Sequence, residues 1–210
     1  EAIIANYRNL DKQDTDFKGG YTTFAGAYRE RLDSSTTTET IGAGFKTALQ
    51  EPGFWHVYAY MQGETIPKKE NHVRLSKDKI DPYGIPQLVV SVDYDENDGK
   101  MVQDFIKETK RMFEKAGVHS ISWHDNQQPP GLDIHEMGGC RMGKDPKDAI
   151  LNEWNQLHHC KNLFVTDGAC MTSTGNQSPS ILYMALTARA VNYAVEQLKT
   201  GRLRISDRTL

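Results

Sequence analysis

The 210 residues carry 25 Lys and Arg against 28 Asp and Glu, a net charge of −3 that gives the chain no electrostatic claim on nucleic acid or an anionic membrane. Hydrophobic residues make up 38%, enough to bury a core, and the longest apolar stretch is interrupted by Thr187, Arg189 and Asn192, too short for a membrane span. Three cysteines (Cys140, Cys160, Cys170) form no even disulfide framework, so they neither require nor exclude an oxidising compartment, and the localisation stays open.

The start, Glu1-Ala2-Ile3-Ile4, has no Met and no basic or apolar leader, and reads as the middle of a longer protein. Residues 1–50 are polar and rich in Gly, Thr and Tyr, with Ser34-Ser35-Thr36-Thr37-Thr38 as a loop and Phe45-Lys46-Thr47-Ala48-Leu49 as a short helix before Pro52. Residues 54–61 are aromatic and β-branched, which predicts a strand. Val73-Arg74-Leu75-Ser76 and the segment 88–94 predict two more, joined by the turn Asp81-Pro82-Tyr83-Gly84-Ile85-Pro86, hence antiparallel sheet. Over 99–116 the period changes: Val102, Phe105, Ile106, Met112, Phe113 and Ala116 share a helical face, and Gly117 stands where a C-cap belongs. Ser120-Ile121-Ser122-Trp123-His124 reads as a strand and Gln127-Gln128-Pro129-Pro130-Gly131 as a loop. Leu163-Phe164-Val165 reads as a fully buried strand. Pro179 suits the first position of a last helix that runs to about residue 198, with Ser178 as its N-cap. So little charge precedes Glu196 that burial on most sides of that helix is expected; the tail from Thr200 is polar. No internal repeat or low-complexity block is visible.

Chemistry concentrates after residue 134. His135 stands in His135-Glu136-Met137-Gly138-Gly139-Cys140-Arg141-Met142-Gly143, where an imidazole that titrates near neutral pH adjoins glycines that let a ligand approach the backbone. It reads as a base or proton shuttle, or as a structural His bonded to a neighbouring loop. Asp167-Gly168 ends the predicted strand, where ligands of open α/β sheets sit, and equally forms an ordinary turn. Asn176-Gln177-Ser178-Pro179-Ser180 leads into a helix N-terminus, whose unpaired N–H groups stabilise negative charge. A metal-dependent hydrolase built on His135, His158, His159 and Cys140 is a rival, but no C-x₂-C or H-E-x-x-H spacing supports it, and no metal is expected. No G-x-S-x-G elbow supports a nucleophilic serine.

The glycine loop after His135, then Asn162-Leu163-Phe164-Val165-Thr166-Asp167-Gly168-Ala169, then Ser178-Pro179-Ser180 with Ala185, Ala188 and Arg189, resemble in order and interval the glucose–methanol–choline (GMC) family of flavin oxidoreductases. Gly42-Ala43-Gly44-Phe45, Glu70-Asn71-His72-Val73-Arg74-Leu75-Ser76 and the 81–86 turn resemble its substrate-binding half more weakly. The resemblance implies FAD as cofactor and a sugar or polyol as substrate, an alcohol losing hydride to the flavin and its proton to His135. It implies a second residue, Asn or His, at the turn before the last helix; ungapped counting puts Ser178 there, 43 residues after His135, with Asn176 and Gln177 alongside. It implies cofactor contacts from Asp167 and Gly168 at a strand end and from the helix start at Ser178, Pro179 and Ser180.

No G-x-G-x-x-G is present, so the N-terminal FAD-binding half is expected to be missing and the chain alone to bind FAD poorly or not at all. The expected fold is α+β: a mainly antiparallel sheet with flanking helices over 1–160 as a substrate-binding domain. The last strand and helix of a Rossmann-type FAD domain follow over 161–198, then a polar tail over 199–210. The electron acceptor is not readable. The alternative to an oxidoreductase is a non-catalytic sugar-binding or interaction module that has lost its flavin half.

Overall fold

Alternation of residues along a strand assigns them to opposite faces, and here the two faces of one sheet do different work. The computed structural model describes residues 2–6, 8–31, 41–125, 128–132 and 134–203. Strands β1 (Ala2–Ile4), β2 (Tyr21–Arg31) and β3 (Pro52–Gly63) form an antiparallel sheet in that spatial order. Tyr21 lies opposite Gly63, Thr22 opposite Gln62, Thr23 opposite Met61 and Phe24 opposite Tyr60, with an irregularity between Arg29 and Arg31 at the far end. Strand β3 matches the expected 54–61. Strand β2 does not: Gly26, Ala25 and Ala27 blur its alternation, and long-range pairing with β3 makes it a strand. Gly26 has a packing reason, because a Cβ there would lie 2.5 Å from the Tyr58 hydroxyl oxygen.

Helix α1 (Gly42–Gln50) contains the predicted short helix at 45–49. Strands β4 (His72–Ile80) and β5 (Pro86–Ser91) form the predicted hairpin, closed by Asp81, whose Oδ1 accepts from the backbone N–H groups of Tyr83 and Ile85 at 2.9 Å each. Helix α2 (Glu96–Lys115) opens with a reciprocal cap: Asp95 accepts from the Asn97 N–H, and Asp98 accepts from the Asp95 N–H. It closes at Gly117, whose φ of +76° needs glycine. The inner face of α2 places Met101 and Phe105 against Phe17, Tyr21 and Met61. Asp104 on the same helix accepts two bonds from the Arg8 guanidinium, 2.8 and 2.9 Å, and one from the Tyr21 hydroxyl, 2.7 Å. Tyr21, Met61 and Gly63 therefore belong to the α2 side, and alternation turns Thr22, Phe24, Tyr60 and Gln62 to the other.

Residues 120–124 form no strand; Ser120 sits at φ +58°, which breaks an extended run. A second core, Leu151, Cys170 and Met171 with Met137, Met142, Leu157, Val165, Tyr183 and Leu186, is built largely from irregular chain. Leu163-Phe164-Val165 is held by the single bridge between Gln156 and Phe164 rather than a ladder, and Leu163 is exposed. A fully buried strand needs a neighbour along each edge, and this segment is bonded along one, to Asn155 and Leu157. Buried Asn155 fixes the segment, its Nδ2 donating to the Val165 carbonyl and its Oδ1 accepting from Arg189 of helix α3 (Ser180–Lys199). The expected burial of α3 is corrected: Ala190 alone of its residues is buried, Ile181 is 79% exposed and Met184 71%. No described helix is long and apolar enough to cross a membrane. The predicted 34–38 loop, Gln127 and residues 204–210 of the tail lie outside the described residues.

Candidate functional site

Three polar side chains at one end of the sheet, all on the face away from α2, hold the two loops singled out in the sequence. Gln62 Nε2 lies 2.8 Å from His135 Nδ1. Thr22, directly across from Gln62, accepts at Oγ1 from Gln177 Nε2 at 3.0 Å. Glu64, just past β3 and two residues along the same face, accepts a short hydrogen bond from the Ser173 hydroxyl. The cross-strand pair Thr22–Gln62 thus brings the His135 loop and the 173–177 turn onto neighbouring positions of one surface.

His135 is half-buried, at φ +74°. A non-glycine residue in that left-handed region costs on the order of 1–3 kcal/mol, and it stays there only when its surroundings leave no alternative. The loop that follows is zipped onto a 3₁₀ turn, Gly168–Cys170: Gly138 N–H donates to the Gly168 carbonyl, Cys140 N–H to Ala169 and Met142 N–H to Cys170. Asp167 caps this turn, its Oδ1 accepting from the Ala169 N–H at 2.9 Å. Gly168 is buried among protein atoms, since a Cβ would lie 2.9 Å from the Glu136 carbonyl oxygen and from the Tyr183 hydroxyl. Burial pushes the Cys170 thiol above its ordinary range, the opposite of what a nucleophile needs.

At the turn before α3, Asn176 is 6% exposed. Its Oδ1 accepts from Gln177 Nε2 at 2.8 Å, and its Nδ2 is buried with no hydrogen-bond partner. Leaving a buried donor unmade costs about 1–3 kcal/mol. Ser178 is exposed, and Pro179 rather than Ser178 occupies the N-cap position of α3, which has no side-chain cap. Of the predicted site residues, the sheet face therefore gathers His135 and the Asn176–Gln177 turn, while Ser178 and Ser180 stand at the open helix start. His158 is not drawn to His135: its Nε2 pairs with the Gly143 carbonyl at 3.0 Å, and Cys160 donates to Asn162. Among the described residues no three His, Cys, Asp or Glu side chains converge to hold a metal.

Residues 67–187, more than half of the chain, match the family described as GMC oxidoreductase. The chain belongs to that family. It is 36% identical over 142 residues to 2-methyl-1,2-propanediol dehydrogenase of Mycolicibacterium austroafricanum, covering 66% of this chain and 25% of that protein. It is 26% identical over 204 residues to the fructose dehydrogenase large subunit of Gluconobacter japonicus, covering 94% and 36%. Paromamine 6′-oxidase of Streptomyces fradiae is 29% identical over 124 residues, 59% of this chain and 23% of the oxidase. The chain thus spans between about a quarter and a third of the length of these curated relatives.

The part of this GMC chain that matches the family begins after Thr22, Gln62 and Glu64. That is why motif reading finds the two loops and misses the side chains that hold them: none of the three lies in a motif, and the register of β2 on β3 alone makes them a group. The residues present fit one edge of a flavin rather than a whole cofactor. The uncapped first N–H groups of α3, beside exposed Ser178 and Ser180 and the unpaired amide of Asn176, suit a group on which negative charge builds. The hollow against the glycine loop, lined by Gly138, Gly139, Arg141 and Ile150, holds about 160 Å³, below the ~300 Å³ at which ligand pockets begin.

Proposed function

We propose that this chain is the substrate-side portion of a flavin-dependent oxidoreductase that oxidises an alcohol group of a sugar or polyol. The observation that carries this reading is the imidazole of His135, bonded to Gln62 on the same sheet face that anchors the turn bearing the unpaired buried amide of Asn176. Those are the two parts an alcohol oxidation asks of a protein: a base for the hydroxyl proton, and a donor for the oxygen as that proton leaves.

His135 accepts the hydroxyl proton. Asn176 Nδ2, which has no partner within the chain and sits on the turn that Thr22 anchors through Gln177, donates to the substrate oxygen once the turn admits it; Ser178, exposed at the ungapped position, is the weaker candidate. Ser178, Pro179 and Ser180 offer the start of α3 to the cofactor, and Asp167 and Gly168 fix the turn against which the His135 loop is registered. When bound, FAD supplies the hydride acceptor. The domain reading follows: residues 1–160 form the substrate-binding part, and residues 161–198 complete an FAD domain whose other part lies in an N-terminal half of a longer protein. The exposure of Ile181 and Met184 on α3 supports such a half.

The test uses the full-length protein with D-fructose, D-gluconate and 2-methyl-1,2-propanediol, compounds in the names of relatives, and an artificial dye as acceptor. His135→Ala should retain FAD and slow flavin reduction by about 10²-fold or more. Asn176→Ala should slow it by about 10²-fold and Ser178→Ala far less. Reduction at the wild-type rate in His135→Ala would remove the proposed base, and Ser178→Ala slower than Asn176→Ala would reverse the assignment of its partner.

A further inference from the structure

An imidazole that must accept a proton at one ring nitrogen is useful only if the other nitrogen is told what to do. A ring nitrogen carrying a hydrogen cannot be the base, and the partner of the opposite nitrogen decides which of the two carries it. In this chain the partner of Nδ1 is a neutral amide, Gln62, at 2.8 Å. We propose that Gln62 is a positioning residue for His135, holding the ring so that Nε2 faces the substrate and setting how readily that nitrogen takes a proton. The inference rests on His135 being the base and goes beyond it.

Three features support the assignment. Gln62 sits on a paired strand rather than a loop, opposite Thr22 in the register of β2 and β3, so its backbone is fixed by the sheet. Thr22 is buried and holds Gln177, so the same rigid pair sets the spacing between His135 and the Asn176 turn. The left-handed backbone of His135 needs an outside restraint, and the Gln62 bond ties its ring to a separate element.

An amide is also a specific choice of partner. With its carbonyl end toward the ring, Gln62 accepts from Nδ1–H and leaves the Nε2 lone pair for the substrate proton. With its NH₂ end toward the ring, it donates to Nδ1 and leaves Nε2 as a donor. A carboxylate could only accept, and its charge would hold the ring protonated. The neighbouring titratable groups do not take that role. Glu64, on the same sheet face, is engaged by Ser173, and Glu136, on the His135 loop, is exposed. On the far side of the glycine loop, Asp167 is occupied by the Ala169 N–H, and Tyr183 lies against Met137. The structure has Nε2 of the amide toward His135 Nδ1, so the working form has the amide turned to put Oε1 there; during turnover the substrate O–H bond then breaks, its proton goes to His135 Nε2, and Nδ1–H stays bonded to Gln62 Oε1.

The test needs no substrate for its first readout. In full-length protein carrying ¹⁵N-labelled histidine, the His135 resonances are assigned by their loss in His135→Ala, and their titration is followed in Gln62→Glu and Gln62→Leu. Gln62→Glu, which keeps the size of the side chain and so the fold, should move the His135 titration midpoint up by about one pH unit or more. The acid limb of kcat/KM should move with it, measured on the fastest substrate of the panel above. Gln62→Leu should retain FAD and slow flavin reduction about 10-fold or more, because a base no longer held in line loses its geometry. A midpoint that does not move in Gln62→Glu overturns the proposal, as does wild-type reduction in Gln62→Leu. If instead His135→Ala reduces flavin normally, the base assignment fails; if His135→Ala is slow and the midpoint stays put, the role of Gln62 alone fails.

Discussion

One methyl group added at Gly168 should disturb the ground on which His135 stands. In Gly168→Ala the new Cβ would lie 2.9 Å from the Glu136 carbonyl oxygen, 2.9 Å from the Tyr183 hydroxyl oxygen and 3.0 Å from the Met137 sulfur. Carbon contacts are comfortable at about 3.5–4.0 Å, so each neighbour must give by roughly half an ångström. Tyr183 can swing, but Glu136 meets the methyl group with backbone, and Glu136 is the residue next to His135. The φ of Gly168 is not in the left-handed region, so the cost is one of contact rather than of backbone conformation. Overpacking of this kind costs about 1–3 kcal/mol. In the full-length protein, calorimetry should show a melting temperature lower by a few degrees, and stopped-flow reduction of the flavin should slow about 10-fold with FAD content unchanged. Unchanged melting with loss of FAD would refute this reasoning and make Gly168 a contact of the cofactor instead.

Two further outcomes test the frame around the site. Asp104→Ala removes the acceptor that Arg8 grips with two bonds and that Tyr21 uses for its buried hydroxyl. Urea unfolding should show a loss of about 2 kcal/mol, less than a fully buried pair because the Arg8 side chain is 20% exposed; a loss under about 0.5 kcal/mol would mean the triad does not brace α2 on the sheet. Tyr60 stacks on Phe24 at 5.1 Å between ring centroids, one step outward from Gln62 and Thr22 on the same face. Tyr60→Ala should raise KM for a ring-form sugar about 5-fold with kcat little changed, and leave an acyclic diol unaffected; equal effects on both would show that the rings do not contact substrate.

Local chemistry made much of this fold readable in advance. The β4–β5 hairpin follows from the Asp81–Pro86 turn, and α2 from its apolar period and Gly117, because turns and caps are written in adjacent residues. Strand β2 was hidden, since its small residues are explained only by what lies across from them, Gly26 under the Tyr58 ring among them. Residues 120–124 and 163–165 fall short for a related reason: a β-branched or aromatic run has strand character, but a ladder also needs a partner, and 163–165 meets its neighbour 155–157 at a single bridge. The candidate site divided in the same way. The motif residues were visible because their glycines, amides and His lie within short windows. Gln62, Thr22 and Glu64 were not, because their pertinence arises from pairing across the sheet, and Asn176 rose above Ser178 through its burial.

The division of β2 and β3 into two faces ties assembly and chemistry to a single coordinate. A slip of one residue in their pairing would exchange the faces, carrying Met61 beneath His135 and Gln62 beneath α2. Such a chain would keep its composition and most of its backbone hydrogen bonds, yet lose core and base together. Misregistered molecules would therefore be both unstable and inactive, leaving no folded but inert form to compete for substrate. An insertion of one residue within β3 should be far more harmful than one in the turn at Asp81–Pro86, although the site touches neither backbone directly.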